Sequence, residues 1–373
     1  MLFLFLNILL ILFIIVCIIQ LIYFGIIFSK FSFLKIKSKN ISFSEPVSVI
    51  ICAKNEEKNI GSLIELLLNQ NYPNYEILII DDASSDKTQE IIEGYELSNS
   101  KIKLVKVKNN EAFWGNKKWA LTLGIKASKH ENLLFIDADC KPNSENWIQK
   151  MVENFTKDKT IILGFSPYQK IKNSWLNKLI RYETFLTALQ YFSWAKAGKP
   201  YMGVGRNLAY KKTDFFNQNG FISHMKIHSG DDDLFINAAA NINNLSIEFS
   251  KQSFVYSEPK KTWNDWILQK RRHLTTAKYY KFFDKFQLSF FYISQFLYIV
   301  LAIILLLFLH QWILVLSLIG FRYIINFIII SKAAKKLNEN SLTIWYPVLE
   351  INLIIVQLYV FFKNIKSKPK YWR

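Results

Sequence analysis

Cysteine is scarce in this sequence: three residues among 373, Cys17, Cys52 and Cys140, in no spacing pattern. A disulfide framework is therefore excluded, and a reduced compartment fits. The glycine signatures of the common nucleotide-binding folds are also missing. The first strand-like run, Val47 to Cys52, is followed by Ala53-Lys-Asn-Glu-Glu57, with no glycine before Gly61. That rules out the Gly-x-Gly-x-x-Gly turn of a dinucleotide-binding dehydrogenase, and no P-loop occurs either. Gly203-Val-Gly205 lies far downstream and opens no helix-like run. His224 and His228 are four apart but belong to no His-Glu-x-x-His, so they read as polar loop histidines rather than a zinc pair. No basic residue precedes the N-terminal apolar run and no small-residue cleavage site follows it, which disfavours a secretory signal peptide. There is no internal repeat and no low-complexity linker.

Long apolar runs and basic charge are what the chain does have. From Leu2 to Phe28 only Asn7 and Gln20 are clearly polar, enough for a spanning helix of about 20 residues. Residues 1–29 thus read as an uncleaved anchor. Lys30, Lys35, Lys37 and Lys39 come directly after it; by the positive-inside rule this side faces the cytoplasm. A second block, Leu288 to Ile330, is interrupted by His310-Gln311 and Arg322 and fits two helices turning near His310. A third, Ile344 to Phe362, has Lys332, Lys335 and Lys336 before it and Lys363, Lys366, Lys368, Lys370 and Arg373 after it. Charge cannot orient that segment: it spans or lies in the interface. About three C-terminal membrane helices over 288–363 and a basic tail over 364–373 are expected. The net charge of +18 sits mostly beside apolar segments, where lysines suit an anionic leaflet, and not in a nucleic-acid-binding pattern. The expected location is the cell (inner) membrane, multi-pass, with the catalytic portion cytoplasmic.

Between Ser44 and Trp263 strand and helix signals alternate. Val47–Cys52, Glu76–Ile80, Ile102–Val107 and Asn132–Ile136 read as strands; the stretches around Ile60–Leu68, Thr88–Tyr95, Lys117–Ala127 and Trp147–Phe155 read as helices. This rhythm predicts an α/β domain with a mostly parallel sheet covered on both faces. Residues 171–196 mix aromatics with lysines: an amphipathic helix or helix pair in the membrane interface, or an ordinary helix packed on the sheet.

Aspartates mark the strand ends. Asp81-Asp82 closes the second strand, Asp137-Ala-Asp139 the fourth, and Asp231-Asp232-Asp233 follows Ser229-Gly230 before a helix-like stretch. Carboxylates there are costly unless a cation or hydrogen-bond donor meets them, and ligands of open α/β sheets bind at that edge. Asp137 and Asp139, two apart, can address one divalent cation; a capping loop before Pro142 is the structural alternative. The pattern points to a membrane-tethered enzyme of a metal–phosphate substrate.

Val47-Ser-Val-Ile-Ile-Cys-Ala-Lys-Asn-Glu-Glu57, Ile79-Ile-Asp-Asp-Ala-Ser-Ser-Asp86, Gly115-Asn-Lys117-Lys-Trp-Ala-Leu121, Phe135-Ile-Asp-Ala-Asp139, Gly203-Val-Gly-Arg-Asn-Leu-Ala209, Gly230-Asp-Asp-Asp-Leu234 and Gln269-Lys-Arg-Arg-His273 together resemble, in family order, the motifs of family 2 glycosyltransferases with a GT-A fold. The likeness is to the ceramide glucosyltransferase and the hyaluronan and cellulose synthase-like branch. It implies a GT-A domain over 44–260 and an interfacial Gln-x-x-Arg-Trp-like segment over 261–285, with His273 where the family has Trp. It also implies that Asp81 or Asp82 binds the base of a nucleotide sugar, with Ala53 and Glu57 near the nucleoside. Lys117, Gln269 and Arg272 would meet the diphosphate, and Asp137 and Asp139 would bind Mg²⁺ or Mn²⁺. Gly205, Arg206, Asn207 and His273 would contact the acceptor. A carboxylate of the 231–233 cluster would be the base: counting back from Leu234 selects Asp231, and matching the adjacent acidic pair selects Asp232. The expected reaction is inverting transfer of one sugar to a lipid-linked or membrane-embedded acceptor (glycolipid, envelope polysaccharide or carotenoid-type). The competing readings are a processive polysaccharide synthase and a catalytically silent scaffold subunit.

Overall fold

The computed structural model describes residues 1–35, 44–108, 117–227 and 229–367. Lys37, Lys39, Gly115, Asn116, His228, Lys368, Lys370 and Arg373, singled out in the sequence, lie outside the described residues.

The apolar runs of the middle segment form a seven-stranded sheet in the order β3-β2-β1-β4-β7-β6-β8. The strands are β1 Val47–Ala53, β2 Tyr75–Asp81, β3 Ile102–Lys106, β4 Asn132–Phe135, β6 Ile161–Leu163, β7 Leu208–Lys211 and β8 Leu245–Ile247. β5 Cys140–Pro142 and β9 Val255–Ser257 pair apart from it. β1 to β4 run parallel, and β7 is antiparallel to both of its neighbours. Successive β1 residues serve opposite faces, as a period of two requires. Val49 and Ile51 pack with Leu134 and Trp147, while Ile50 packs with Leu78 and Phe135. Pairing of Ala53 with Asp81 and of Ile50 with Phe135 sets the carboxyl ends of β1, β2 and β4 side by side. The acidic turns therefore share one edge. Helix Lys117–Ala127 lies tightly on β2, where a Cβ on Gly124 would come within 2.4 Å of Ile80.

Residues 171–196 hold one helix, Trp175–Lys196, capped by Ser174. It is a buried plate and not an interfacial pair at a lipid surface: the Tyr191 hydroxyl donates to the Gly164 carbonyl at 2.8 Å on the domain side, and Phe192 stacks on Phe31 of the first membrane helix at 5.0 Å. Its aromatics find protein on both sides, which the amphipathic pattern alone did not decide.

Among the described residues, four helices are long and apolar enough to cross a membrane: Leu2–Ser32, Phe282–Leu307, Trp312–Lys336 and Asn340–Lys366. The chain turns between the second and third at His310, which meets Asn7 at 3.0 Å, with Leu309 and Gln311 in left-handed conformations. Inside the bundle Arg322 holds Glu350 through bonds of 2.7 and 3.1 Å and also donates to Gln20 at 2.9 Å. Gln295 and Tyr346 donate to the same Glu350 oxygen. Removing one member of a buried ion pair leaves the other charge stranded. Arg322→Leu should accordingly destabilise the detergent-solubilised protein by about 3–5 kcal/mol, and Arg322→Leu/Glu350→Leu should recover most of that loss. Thermal unfolding of the two variants checks it.

Candidate active site

Two loops cradle the first edge of the site. The Asp82 amide donates to the Ala53 carbonyl at 2.9 Å, joining the ends of β2 and β1, so Ala53, fully buried, contributes its backbone. Asn55, left-handed at φ 56°, accepts from the Ser85 amide at 2.8 Å, and the Glu56 amide donates to Thr88 Oγ1 at 2.7 Å. Asp81 Oδ2 accepts from the Ser84 amide at 3.3 Å, while its Oδ1 is buried without a partner. Asp82 lies 3.6 Å from Lys54, and burial raises its pKa more than Lys54 lowers it. Glu57 is exposed, its carboxylate accepting from the Lys87 amide at 3.2 Å. The half-buried Glu56 is the one that feels Asp139 and Asp137, which with its burial raise its pKa.

At the centre, Lys117 Nζ lies 2.8 Å from Asp137 Oδ1 and 3.3 Å from Asp231 Oδ2. Burial works against the ammonium, but the two carboxylates outweigh it and hold its pKa well above the ordinary value. Cys52, Lys117, Asp137, Gly205, Asp231 and Asp232 help line a cavity of about 20 Å³, room for roughly one water. Ligand atoms of Asp137, Asp139 and Cys140 lie within 4.8 Å of one another. The Cys140 thiol is kept protonated by burial and meets Ser257 Oγ at 3.2 Å. That leaves two hard carboxylate donors, a set that fits Mg²⁺ or Mn²⁺ completed by phosphate oxygens.

The three adjacent aspartates have three different surroundings. Gly230 at φ 98° swings the chain into them, and a Cβ there would meet Leu234 at 2.5 Å. Asp231 turns to Lys117; although burial opposes its charge, Lys117 and Lys118 hold its pKa below the usual range. Asp232 accepts from the Gly205 amide and from the Asp233 amide, both at 2.7 Å. Burial and its two acidic neighbours push its pKa up to about 7. Asp233 accepts from Thr276 Oγ1 at 2.5 Å and the Tyr280 hydroxyl at 2.8 Å, tying the cluster to helix Trp263–Ala277 and its continuation.

The third part is assembled around Arg206. Its guanidinium donates to Ser257 Oγ at 2.5 Å and to the Ser166 carbonyl at 3.3 Å, and lies over the Tyr168 ring at 4.6 Å. Gln269 donates to the Tyr168 hydroxyl at 3.3 Å, which brings the Gln-Lys-Arg-Arg-His run to the same place. Arg272 is half-buried beside His273. His273 is open to solvent on one side, but the crowding around its ring and the nearby Lys270, Arg206 and Arg272 push its pKa well below the ordinary value. Asn207 is placed differently from Arg206 beside it. It is fully buried, its Oδ1 accepts from Trp147 Nε1 at 3.0 Å, and its Nδ2 donates to the Phe165 and Ser253 carbonyls at 2.8 Å. Both of its side-chain polar atoms are thus bonded to scaffold groups. Glu56, Tyr168 and Ser257 were missed by the sequence, which offers no signal separating Glu56 from Glu57 or marking the other two.

The mostly parallel sheet, the acidic edge and the long apolar helices define a GT-A-type, membrane-associated protein. The family description Glycosyl transferase family 2 matches residues 48–225, and the chain carries a family 2 glycosyltransferase domain. It is 25% identical over 187 residues to a 4,4'-diaponeurosporenoate glycosyltransferase of Staphylococcus haemolyticus, covering 49% of each chain. It is 39% identical over 101 residues to a beta-monoglucosyldiacylglycerol synthase of Trichormus variabilis, covering 26% of this chain and 21% of that one. Such matches span half or less of the relatives' own length. Among solved structures, a mannosyltransferase from Pyrobaculum calidifontis in complex with GDP-Man and Mn²⁺ shares the fold at a TM-score of 0.60 and 14% identity, over 90% of this chain and 99% of that one.

Asn207→Ala would leave the Trp147 donor and two carbonyls unpaired. It should cost about 1–3 kcal/mol of stability while leaving the donor affinity of the folded protein unchanged; thermal unfolding and calorimetric titration with a nucleotide sugar check the two halves.

Proposed function

We propose that this protein is a membrane-bound inverting glycosyltransferase that moves a sugar from a nucleotide-diphosphate sugar to a lipid-linked or membrane-embedded acceptor, on the cytoplasmic face, with Mg²⁺ or Mn²⁺. The observation that carries the reading is Lys117 held between Asp137 and Asp231 at the carboxyl edge of the sheet. The unpartnered Asp81 Oδ1 accepts an N–H of the donor's base, and Lys117 turns to the diphosphate. Asp137 and Asp139 hold the divalent ion. When bound, that ion supplies positive charge against the negative charge that builds on the departing diphosphate.

Asp231 is the base of this reading. Both oxygens of Asp232 are already taken by backbone amides, and Asp233 is bound to Thr276 and Tyr280. With Lys117 drawn to the diphosphate, Asp231 loses its main counter-charge while staying desolvated, so its proton affinity rises. It takes the proton of the acceptor hydroxyl, whose oxygen attacks the anomeric carbon opposite the diphosphate. One C–O bond forms, the sugar–phosphate C–O bond breaks, and the anomeric centre inverts. Asp232 orients the Gly205 turn. A membrane-embedded acceptor is supported by the helices that flank the domain and by the lipid-soluble compounds in the names of both relatives.

Purified protein given a nucleotide sugar and an acceptor extract should release nucleoside diphosphate with Mn²⁺ or Mg²⁺ and none after chelation. Asp231→Asn should lower turnover by about 10²–10⁴-fold with donor binding retained. A larger loss in Asp232→Asn than in Asp231→Asn would reverse the assignment, and release of pyrophosphate would reject glycosyl transfer altogether.

A further inference from the structure

We propose that the last apolar helix, Asn340–Lys366, dips into the membrane without crossing it, and that the partner of its exposed face is the lipid surface on the catalytic side. The helical part Tyr346–Lys366 has 21 residues, at about 1.5 Å each enough to cross a bilayer if it stood upright. Its contacts say that it does not. Just before its start, Glu339 pairs with Arg181, and Trp345 meets Trp175 edge-on at 5.8 Å; both partners belong to the buried helix Trp175–Lys196 of the catalytic portion. At its end, Arg271 donates to Asn364 Oδ1 at 2.8 Å and to the Ser367 carbonyl at 2.6 Å, and the Asn364 amide returns a bond to the Arg271 carbonyl at 3.1 Å. Arg271 sits on helix Trp263–Ala277, which is joined to Asp233 through Thr276. Both ends of the last helix are thus fastened to elements of one domain, and a domain lies on one side of a membrane.

The other three helices behave differently. Their distal halves form a separate cluster that includes Phe13, Val16, Tyr298, Leu301, Leu305 and Val315, and no described residue after Val315, Leu318 and Ile319 joins it. Of the buried residues of the last helix, Tyr346, Leu349 and Leu353 pack instead into the cluster that runs up from the sheet, and Glu350 pairs with Arg322, on the Lys336 side of Val315. On its other side Ile344, Val348, Ile351, Ile355, Tyr359 and Phe362, three or four apart, form one exposed apolar stripe, the pattern of a helix lying in an interface. Charge agrees. On this path Lys332, Lys335 and Lys336 before the helix and Lys363 and Lys366 after it all fall on the catalytic side, while the distal turn Leu309-His310-Gln311 carries no lysine or arginine. A crossing helix would divide the lysines between the two sides, against the usual bias, and would have to break the bonds to Arg271. The exposed apolar stripe with lysines at both ends is complementary to an anionic leaflet.

The test is side-specific labelling of the full chain in sealed membrane vesicles with a membrane-impermeant maleimide, using single substitutions Ser367→Cys, Lys260→Cys on the catalytic side and Gln311→Cys at the distal turn. Ser367→Cys should label from the same side as Lys260→Cys and be protected where Gln311→Cys labels. If Ser367→Cys fails to fold, Lys366→Cys is read in the same way. Labelling of position 367 or 366 from the Gln311 side overturns the proposal. A spin label at Ile355→Cys should relax with oxygen dissolved in lipid and not with an aqueous nickel chelate; the opposite result overturns the lipid contact.

Discussion

A lysine ammonium held between two carboxylates that lie far apart in the chain, Asp137 and Asp231, is the constraint around which this structure is arranged. Lys117, Asp137 and Asp231 come from a helix start, a strand end and a glycine-led turn. Each charge is partly withdrawn from solvent and would be less favourable by itself. Together they compensate, and in the proposed function that compensation would be passed on, Lys117 to a diphosphate and the aspartates to its cation. Backbone packing maintains the geometry, through Gly124 pressed on Ile80 and Gly230 on Leu234.

From that centre the site is coupled to the membrane by short polar links. Asp233 is fixed to Thr276 and Tyr280 just ahead of the second membrane helix. Tyr168 lies between Arg206 and Gln269. The buried helix Trp175–Lys196 separates sheet from bundle and touches both. A change in the lie of helix Trp263–Ala277 would move Asp233, and with it the backbone that carries Asp231 and Asp232. The aspartate cluster and the segment leading into the second apolar helix are thus joined by direct side-chain bonds.

Much of this was legible in the residues. β1 and β2 are apolar runs rich in Val and Ile, and β2 and β4 lead into Asp81-Asp82 and Asp137-Ala-Asp139, so both the strands and their acidic edge could be read. The apolar segments and the turn at His310 followed from length and polarity. Strands β6 and β8, three residues each, are too short to carry a period. A motif marks a position and not what its side chain meets: Asn207 lies in the family-like run but spends every bond on scaffold, and Glu56 and Glu57 differ only in the direction the loop gives them. The path of the last helix was undecided because lysines flank both its ends, and contacts at Arg181 and Arg271, remote in sequence, are what bear on it.

The most direct test of the central claim is electron paramagnetic resonance of Mn²⁺ in the presence of a nucleoside diphosphate. The convergence of Asp137, Asp139 and Lys117 predicts one immobilised ion per chain, dependent on the nucleotide, and its loss in Asp137→Asn/Asp139→Asn protein that still folds. Undiminished Mn²⁺ binding in that double variant would contradict the account.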